Sequence, residues 1–328
     1  MRVLLTGGYG CIGSWIIQDL LKQDCSVWVY DLKEDTSRLR LIMPEEQVRQ
    51  VKFIQGDVTD LPGLQRALGD NGITHVAHLA GLQVPTCRAN PILGAQVNVI
   101  GTLAVFEAVK ALGDQVERLV YASSAAVFGP QSDYTDATLP LDDDVKLTPT
   151  TQYGYFKCCN EGNARIYYQD HGISSVGLRP WTVYGVGRDF GMTSEPTKAI
   201  KSLALDRPYA ISYGGWQALQ YVEDVACVFE CCLIHPFFKG AKSYNLRGDV
   251  VDLPTFHRAL CAVDPRAEKL ITYGDRQIGI AYDLSDDALQ DDFGPIPMTP
   301  LEEGISRTLN RFRELRAEGR LDTKDLEG

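Results

Sequence analysis

The feature that most constrains the fold is a glycine-rich loop that directly follows the first apolar run of the chain. The run RVLLT leads into GGYGCIG, where Gly8, Gly10 and Gly13 have the spacing G-x-G-x-x-G. Gly7, Gly10 and Gly13 also have the longer spacing G-x-x-G-x-x-G. Between a strand and a helix, such glycines allow a tight turn and bring the helix N-terminus close to a pyrophosphate. The loop therefore predicts a dinucleotide site after the first strand.

An acidic residue ends the second predicted strand, VWVYD. Asp31 lies 18 residues after Gly13, where a carboxylate accepts hydrogen bonds from both adenosine ribose hydroxyls and repels a 2′-phosphate. We therefore predict NAD rather than NADP as the cofactor. Asp57 follows the third strand in QGDVTD, where its side chain and the Val58 backbone would contact the adenine edge. The same pattern is also typical of a helix start.

Short β-rich runs alternate with helical patterns through the first half of the chain. The helical pattern GSWIIQDLLKQ, for example, separates the first two runs, which in chain order are RVLLTG, VWVYD, KFIQGDV, THVAHLAG, RLVYASS and SVGLRP. Strands that alternate with helices at this rhythm form parallel sheets covered on both faces. The pattern predicts an α/β fold built on a doubly wound parallel sheet (Rossmann).

The alternation loosens from Trp181 into segments rich in Gly, Pro and aromatic residues, which predicts a smaller C-terminal substrate-binding lobe. YVEDVACVFECCLI is expected to be a helix that returns to the main sheet, and AKSYNLRG a further strand. We therefore expect an NAD-binding Rossmann domain from 1–179 and 221–247, and a substrate-binding lobe from 180–220 and 248–328. The amphipathic segment PLEEGISRTLNRFRELRAEG is expected to cap that lobe.

The net charge and the cysteines limit which partners, compartment and metal sites the protein is expected to have. The formal net charge of −11, without a Lys/Arg cluster, argues against nucleic acid and anionic membranes. No apolar run approaches the length of a bilayer span, and the N-terminus enters the first strand without a signal-sequence pattern. The nine cysteines lack the ligand spacing of zinc sites. We therefore expect buried thiols in a reducing cytoplasm and no metal site.

A phenol and an ammonium stand four positions apart in YGYFK, within a predicted helix that ends at Gly172. On a helix this spacing places Tyr153 and Lys157 on one face. A neighbouring ammonium and the cationic nicotinamide ring favour the phenolate and lower the pKa of Tyr153, so that its oxygen can take the proton of a substrate alcohol. The strand RLVYASS delivers Ser123 and Ser124 to the ligand-binding edge of the sheet. Ser124 would hydrogen-bond the reacting oxygen, although a serine at a strand end is also a common cap.

The order of these motifs resembles a known family. TGGYGCIG, Asp31, HLAG, VNVIGT, SSAAVFG, YGYFK and LRPWTVYG are similar to the motifs of the extended short-chain dehydrogenase/reductase superfamily. The branch is the NAD-dependent epimerase/dehydratase type, whose best-known member is UDP-galactose 4-epimerase. The likeness covers essentially the whole chain and is most specific over the first 190 residues.

The resemblance implies a role for each matching residue. Tyr153 would be the acid/base, Lys157 would orient the nicotinamide ribose, and Ser124 would be the third catalytic residue. His78 is expected to pack in its strand, and subunits would pair as a homodimer through the helices that hold Asn98 and Tyr153. The expected cofactor residues are Gly7, Gly10, Cys11, Ile12, Gly13, Asp31, Asp57, Val58, Leu79, Ala80, Gly81, Asn98, Tyr153, Lys157 and Pro180.

Departures from the family pattern bear on the reaction. Dehydratases and decarboxylases of the superfamily carry an acid two positions after the catalytic Ser or Thr, where this chain has Ala126. Sugar-nucleotide members commonly place an Arg that clamps the diphosphate where this chain has Gln217, and often an Asn where it has Thr182. Two buried phosphates without a bidentate cation are costly. The other sources of positive charge are Arg188, Lys198 and Lys201, and Arg188 could equally meet a carboxylate.

We therefore predict an NAD-dependent oxidoreductase acting on a secondary alcohol or ketone of a sugar, sugar acid or similar polyol. The first alternative is an NDP-sugar 4-epimerase that uses transient NAD oxidation, and the second is a non-catalytic NAD-sensing protein on the same fold. The substrate is expected to contact Gln83, Ser124, Thr182, Arg188, Thr193 and Gln217, with Leu82 as a further lining residue.

Overall fold

Strands and helices alternate along the first part of the chain, as the sequence predicts. The structure is a computed structural model and describes residues 1–235 and 238–326. The strands are β1 (Arg2–Thr6), β2 (Ser26–Asp31), β3 (Lys52–Gln55), β4 (His75–His78), β5 (Arg118–Ala122), β6 (Ser175–Arg179), β7 (Thr182–Tyr184), β8 (Tyr209–Ile211), β9 (Trp216–Tyr221), β10 (Ala241–Asn245), β11 (Asp249–Asp252) and β12 (Ile271–Tyr273).

Helices connect these strands and cover the sheets. They are α1 (Cys11–Lys22), α2 (Ser37–Ile42), α3 (Glu45–Val48), α4 (Leu61–Asp70), α5 (Val84–Ala89), α6 (Pro91–Ala95), α7 (Gly101–Leu112), α8 (Gln152–His171), α9 (Glu195–Ala204), α10 (Val222–Ile234), α11 (Leu253–Val263), α12 (Ala267–Leu270), α13 (Asp287–Phe293) and α14 (Leu301–Ala317). A π-helical turn, Gln96–Ile100, joins α6 to α7. The predicted end of the Tyr153 helix is confirmed, because Gly172 caps α8 in the left-handed conformation.

The main sheet has seven parallel strands in the order β10-β6-β5-β4-β1-β2-β3. The α/β doubly wound fold is thereby confirmed, including β10 as the further strand beside β6. The strand order reverses between β1 and β4, and open sheets bind ligands at the carboxyl ends of the strands that flank such a reversal. The glycine-rich loop between β1 and α1 lies at this point.

Both faces of the sheet are buried, which explains the continuous apolar runs of its strands. Side chains on one face, such as Val3, Leu5 and Val29, join the core under α1 and α10. The intervening residues, such as Leu4 and Trp28, point to the opposite face and pack under α4 and α7. The predicted helix YVEDVACVFECCLI thus returns to the main sheet as α10.

The second half of the chain adds two small sheets. Strands β11, β9 and β7 form one sheet, and β12 pairs with β8 in the other. Helix α14 packs against α9 and α11 beside these sheets. Trp181, between β6 and β7, contacts the C-terminal part of the chain: its indole Nε1 donates to the Ala281 carbonyl oxygen at 2.6 Å. The division into two lobes at residues 179, 221 and 247 stays a proposal.

One helical stretch, Pro91–Gln115, is long and apolar enough to cross a membrane by length and composition, with a mean hydropathy of 1.6. This differs from the expectation that no apolar run approaches the length of a bilayer span. Half of its most apolar window is buried, because residues such as Phe106 and Val109 pack in the core under the sheet. The stretch also contacts α4 and α8. A core helix of this kind passes the same test of length and composition.

Candidate active site

A cleft of about 640 Å³ runs along the carboxyl edge of the main sheet. It is lined by most of the predicted cofactor residues: Gly7, Gly10, Cys11, Ile12, Gly13, Asp31, Asp57, Val58, Leu79, Ala80, Gly81, Tyr153, Lys157 and Pro180. Of the predicted substrate residues, it is lined by Leu82, Gln83, Ser124, Arg188 and Thr193. Asn98, Thr182 and Gln217 do not line it.

The glycine-rich loop forms the floor of the cleft. The Gly10 N–H donates to the Gly7 carbonyl oxygen at 3.0 Å, which closes the turn. A β carbon at Gly13 would lie 2.5 Å from the Gly8 carbonyl oxygen, so only glycine allows α1 to approach the loop this closely. Helix α1 begins at Cys11 without a side-chain cap, and its first N–H groups remain open to an anion.

Acidic side chains mark one end of the cleft. Asp31 ends β2, and one of its carboxylate oxygens accepts from the Leu32 N–H at 2.8 Å. Burial is the main reason that the pKa of Asp31 is raised. The Asp57 carboxylate accepts from the Thr59 N–H at 2.9 Å, while the helix cap of α4 is Asp60. Asp57 therefore lines the cleft, and one of its carboxylate oxygens is already hydrogen-bonded to Thr59 in the same turn.

Tyr153 lies at the other end of the cleft, in the first turn of α8. The Thr151 hydroxyl caps this helix by accepting from the Gly154 N–H at 3.1 Å. A β carbon at Gly154 would lie 2.2 Å from the Ala126 carbonyl oxygen. The glycine of YGYFK therefore allows α8 to pack directly on the segment that follows Ser124, which brings the phenol and this serine together.

Lys157 is buried beneath Tyr153, one turn further along α8. Its ammonium donates to the Ala122 carbonyl oxygen at the end of β5 at 2.6 Å and lies 5.6 Å from the centre of the Tyr153 ring. Burial disfavours the charged form and lowers the pKa of Lys157 to about 8. The predicted pair thus shares one face of the helix, with the ammonium beneath the ring.

The two serines that follow β5 have different surroundings. The Ser123 hydroxyl donates to the buried Glu161 carboxylate at 2.5 Å, and Glu161 in turn forms an ion pair with Arg179 at 2.8 Å. Ser124 instead accepts from the Ala126 N–H at 3.1 Å and lines the cleft beside Tyr153. Ser123 therefore belongs to a buried structural network, whereas Ser124 faces the cleft.

The acidity of Tyr153 differs from the expectation. Burial raises the pKa of Tyr153, while a hydrogen bond with Ser124 and the positive charge of Arg188 lower it. Desolvation outweighs both, so the pKa is raised and not lowered; the part of the predicted lowering that rests on the cationic nicotinamide ring stays a prediction. The ammonium of Lys157 lies beneath the ring and donates to a carbonyl group, which explains its weak influence on the hydroxyl.

Asn98 lies behind the wall of the cleft and not in it, contrary to its assignment as a lining residue. Its side-chain amide donates to the carbonyl oxygens of Leu82 and Gly94 at 3.1 Å and 3.0 Å and accepts from the Leu82 N–H at 3.1 Å. These bonds satisfy the amide. Asn98 therefore fixes the Gly81–Leu82 segment from behind.

His78 also packs behind the cleft, as expected for a strand histidine. Its ring nitrogens lie 2.7 Å from the Thr6 hydroxyl and 2.9 Å from the Thr102 hydroxyl. Burial, aided by the charge of Lys157, lowers the pKa of His78 to about 3. The imidazole is therefore neutral at physiological pH.

The substrate end of the cleft is closed by contacts that bring distant segments together. The Gln83 side-chain oxygen lies so close to Gly191 that a β carbon there would overlap it. The Arg188 guanidinium donates through Nη2 to the Thr193 hydroxyl at 3.1 Å. Met192 and Ile280 complete this end. Within the described part of the chain, no residue between 194 and 279 lines the cleft.

Thr182 and Gln217 are placed outside the cleft, contrary to their assignment as substrate residues. Both are fully buried in the β11-β9-β7 sheet. Successive residues of a strand point to opposite faces, so Val183 reaches the cleft and Thr182 does not. The Thr182 hydroxyl and the Gln217 amide have no hydrogen-bond partner among the described residues.

An ion pair that the sequence analysis missed joins the two sides of the cleft mouth. Arg38, at the start of α2, donates to the Asp189 carboxylate at 2.7 Å and 3.1 Å. It also donates to the Tyr9 carbonyl oxygen in the glycine-rich loop at 3.2 Å. We call this the Arg38–Asp189 clasp. No motif in KEDTSRLR signals it, because the partners are 151 residues apart.

The residues present fit a dinucleotide. Glycine leaves room for a pyrophosphate at the N-terminus of α1, where a β carbon at Gly13 would collide with the loop. The Asp31 carboxylate is available for ribose hydroxyls at one end, and Tyr153 and Lys157 stand at the other. No group of three His, Cys, Asp or Glu side chains that could hold a metal ion occurs within residues 1–235 and 238–326.

Comparisons with known proteins identify relatives of this chain. A UDP-glucose 4-epimerase from Lactobacillus helveticus is 31% identical over 190 residues, which are 58% of this chain and 54% of that relative. The chain spans about half the length of the first curated relatives that it matches. The solved structure of a Thermus thermophilus UDP-glucose 4-epimerase in complex with NAD is 27% identical, with a TM-score of 0.78 over 95% of this chain and 99% of that chain.

A second solved structure shares the fold alone. A monomeric L-threonine 3-dehydrogenase from a metagenome database is 22% identical, with a TM-score of 0.80 over 95% of this chain and 99% of that chain. Residues 3–246 match the family described as the NAD dependent epimerase/dehydratase family. This match covers the glycine-rich loop, Asp31, Ser124, Tyr153 and Lys157, and the chain therefore belongs to the NAD dependent epimerase/dehydratase family.

Proposed function

We propose that the protein is an NAD-dependent dehydrogenase that oxidises a secondary alcohol, or reduces the corresponding ketone, of a small sugar, sugar acid or similar polyol. The observation that carries this proposal is the convergence of Tyr153, Ser124 and Lys157 at one end of a cleft whose other end fits adenosine. NAD, when bound, supplies the acceptor for the hydride. The catalytic roles of these three residues are part of the proposal.

Tyr153 would act as the base in the direction of oxidation. Its phenolate oxygen takes the proton of the substrate hydroxyl as the carbinol becomes a carbonyl, and returns that proton in the reverse reaction. Ser124 donates a hydrogen bond to the reacting oxygen and holds it beside the phenol. Lys157 keeps a positive charge beneath the ring, anchored by the Ala122 carbonyl oxygen.

The chemistry of the cleft supports oxidation and reduction over elimination. Ala126 lines the substrate end. Dehydratases of the superfamily that the sequence resembles carry an acid at this position. Among the described residues, the carboxylates that line the cleft are Asp31, Asp35 and Asp57, which lie towards the adenosine end. Elimination of water needs a second acid near Tyr153, so a dehydratase reaction is disfavoured.

The contacts that close the substrate end support a small substrate. The contact of Gln83 with Gly191 closes this end, and Gln217, at the position of the family's diphosphate-binding Arg, lies buried outside the cleft. A nucleotide-sugar would need room beyond Met192 and Ile280, and Arg188 is the cation at this end that could meet its diphosphate. The second candidate is nevertheless an NDP-sugar 4-epimerase, since the Lactobacillus helveticus relative bears that name.

Substitution of the phenol tests the proposal. We expect Tyr153→Phe to lower turnover by roughly 10²- to 10⁴-fold while NAD still binds, because the base is lost and the cleft is unchanged. Tyr168→Phe is the matched control, since Tyr168 lies on the same helix, is 38% exposed and does not line the cleft. Equal turnover in Tyr153→Phe and the wild type would refute the assigned base. A non-catalytic NAD-sensing protein would bind NAD and show no turnover with any polyol.

We further propose that two copies pair through the helices around Asn98 and Tyr153. Large apolar side chains on α6, α8 and the π-helical turn are exposed: Ile92, Leu93, Ile100, Tyr155 and Ile166. Covering such a patch is favourable. Sedimentation should give a dimer for the wild type and a monomer for Ile166→Glu, with Met298→Glu as an exposed apolar control elsewhere. A monomeric wild type would contradict this pairing.

The proposed setting is the cytoplasm. All nine cysteines are free thiols, as in proteins that work in a reducing compartment. The net charge of −11 supports a small-molecule substrate over nucleic acid or an anionic membrane surface as the partner.

A further inference from the structure

Building on the proposed function, we propose that the substrate carries a carboxylate and that Arg188, held by the Thr193 hydroxyl, binds it. The substrate class is then a hydroxy acid with further hydroxyl groups, such as an aldonate or a uronate. Arg188 is a specificity-determining residue in this account. Three observations support it: the location of the guanidinium, its missing anionic partner and its fixed backbone.

Arg188 lies at the substrate end of the cleft, near the reacting group. Its positive charge acts on the Tyr153 hydroxyl and on the Cys11 thiol at the start of α1. Beside it stand the Gln83 side-chain oxygen and the Thr193 hydroxyl. An acid bound there would present its carboxylate to the guanidinium and its secondary alcohol to Tyr153.

The hydrogen-bonding capacity of Arg188 is not used up by the protein. Its Nη2 donates to the Thr193 hydroxyl at 3.1 Å, while its Nε is buried and has no partner among the described residues. A buried donor without a partner is costly, and more so when it is charged. The planar guanidinium fork matches a carboxylate in two parallel hydrogen bonds. Because Nε is enclosed by protein, a substrate carboxylate in the cleft would bind the two Nη groups, one of which is oriented by Thr193.

Two other arginines have a carboxylate partner, whereas the buried Arg118 donates to backbone carbonyl groups. Arg38 has the Asp189 carboxylate at 2.7 Å, and Arg179 has the Glu161 carboxylate at 2.8 Å. Among the described residues, no carboxylate lies within 4.0 Å of the Arg188 guanidinium. Its hydrogen bond is to the Thr193 hydroxyl. Among residues 1–235 and 238–326 Arg188 therefore has no carboxylate partner, which leaves its guanidinium open to an anionic ligand.

The backbone around Arg188 is fixed on both sides. The Val186 carbonyl oxygen accepts from the Trp15 indole at 2.9 Å, and Asp189 is held in the Arg38–Asp189 clasp. The loop is therefore attached to α1 and α2 immediately before and after Arg188. A cation held in place before the ligand arrives loses less entropy on binding.

Binding to an inactive holoenzyme tests the proposal without turnover. In NAD-loaded Tyr153→Phe, we expect four- to six-carbon aldonates to bind at least about tenfold more tightly than the alditols of the same chain length, because charge-assisted hydrogen bonds are lost with the neutral ligand. Adding Arg188→Gln should remove this difference, and Arg188→Lys should retain part of it. Lys198→Gln is the matched control, since Lys198 does not line the cleft.

Turnover gives a second readout. Removal of Arg188 also removes a charge that favours the Tyr153 phenolate, and this loss slows acids and neutral polyols alike. The ratio of kcat/KM for aldonate over alditol cancels the shared effect and should fall about tenfold or more in Arg188→Gln.

Three results would overturn the assignment: equal binding of aldonates and alditols, an unchanged ratio in Arg188→Gln, or weaker NAD binding in that variant in place of weaker acid binding. Failure of the proposed function would give a different set of measurements. Aldonates would then bind in an Arg188-dependent way, yet the wild type would form no NADH from any of them.

Discussion

The Asp189 carboxylate accepts two hydrogen bonds from the Arg38 guanidinium, at 2.7 Å and 3.1 Å, across the mouth of the cleft. Arg38 also donates to Tyr9 in the glycine-rich loop. The clasp therefore connects the loop that would contact the cofactor phosphates with the loop that carries Arg188. One ion pair therefore contacts both walls of the cleft.

Breaking this clasp should weaken cofactor binding. We expect Asp189→Asn to raise the Kd for NAD about five- to tenfold, because a bidentate, partly buried ion pair that organises both walls is worth about 1 kcal/mol. Isothermal titration calorimetry measures it. Asp292→Asn is the matched control, since Asp292 is as exposed as Asp189, at 31%, and pairs with Lys242. Equal Kd values in the two variants would contradict the role of the clasp.

The buried Lys157 should make stability depend on pH. Its pKa is lowered by burial from 10.5 to about 8, so between these values the unfolded chain holds more protons than the folded one. Stability must then rise with pH across this window. From pH 7.5 to 9.5 the contribution of Lys157 is about 2 kcal/mol.

Urea unfolding at both pH values measures this effect. The free energy of unfolding should rise with pH by about 2 kcal/mol more in the wild type than in Lys157→Met, which has no group that titrates at this position. Other titrating side chains are common to both proteins and cancel. The same rise in both proteins would contradict a buried, charged Lys157.

Two glycines should respond to alanine in opposite ways. Gly13→Ala would place a β carbon 2.5 Å from the Gly8 carbonyl oxygen, and we expect it to displace α1 and abolish measurable NAD binding. Gly162 lies inside α8, where a β carbon meets nothing within 4 Å. Gly162→Ala should therefore stabilise the protein by about 0.5–1 kcal/mol. Thermal unfolding and NAD titration of both variants test this, and normal NAD binding by Gly13→Ala would contradict the loop geometry.

Asp31 should govern the choice of cofactor. Removing its charge in Asp31→Ser relieves repulsion of a 2′-phosphate and leaves Lys33 and Arg38 at the same end of the cleft. We expect the ratio of kcat/KM for NAD over NADP to fall by about tenfold. Asp57→Ser serves for comparison, because part of its carboxylate is bound to Thr59. A ratio that changes more in Asp57→Ser than in Asp31→Ser would contradict the assignment.

Local patterns in the sequence predicted the main sheet and much of the candidate site. The glycine-rich loop, Asp31 and Ser124 each follow a strand, and parallel strands bring their carboxyl ends to one edge. The four-residue spacing of Tyr153 and Lys157 needed only the geometry of one helix. All of these residues line the cleft. Each is positioned by one strand or helix next to it in the chain, so local patterns were enough to predict its place.

The residues that were missed or misplaced depend on packing between distant segments. Arg38 and Asp189 meet across 151 residues, and Ile280 reaches the cleft from beyond the second small sheet. Thr182 faces away because of a strand register that the sequence does not reveal. The pKa of Tyr153 is raised mainly by burial. The spacing of residues in the sequence does not predict that burial.

The most direct measurement of the central claim follows the absorbance of NADH while the purified protein is incubated with excess NAD and a panel of aldonates, uronates, alditols and UDP-sugars. We predict that NADH accumulates in proportion to the substrate consumed, far beyond one equivalent per active site, and only in proteins that retain Tyr153. Interconversion of a UDP-sugar with no net NADH would contradict it.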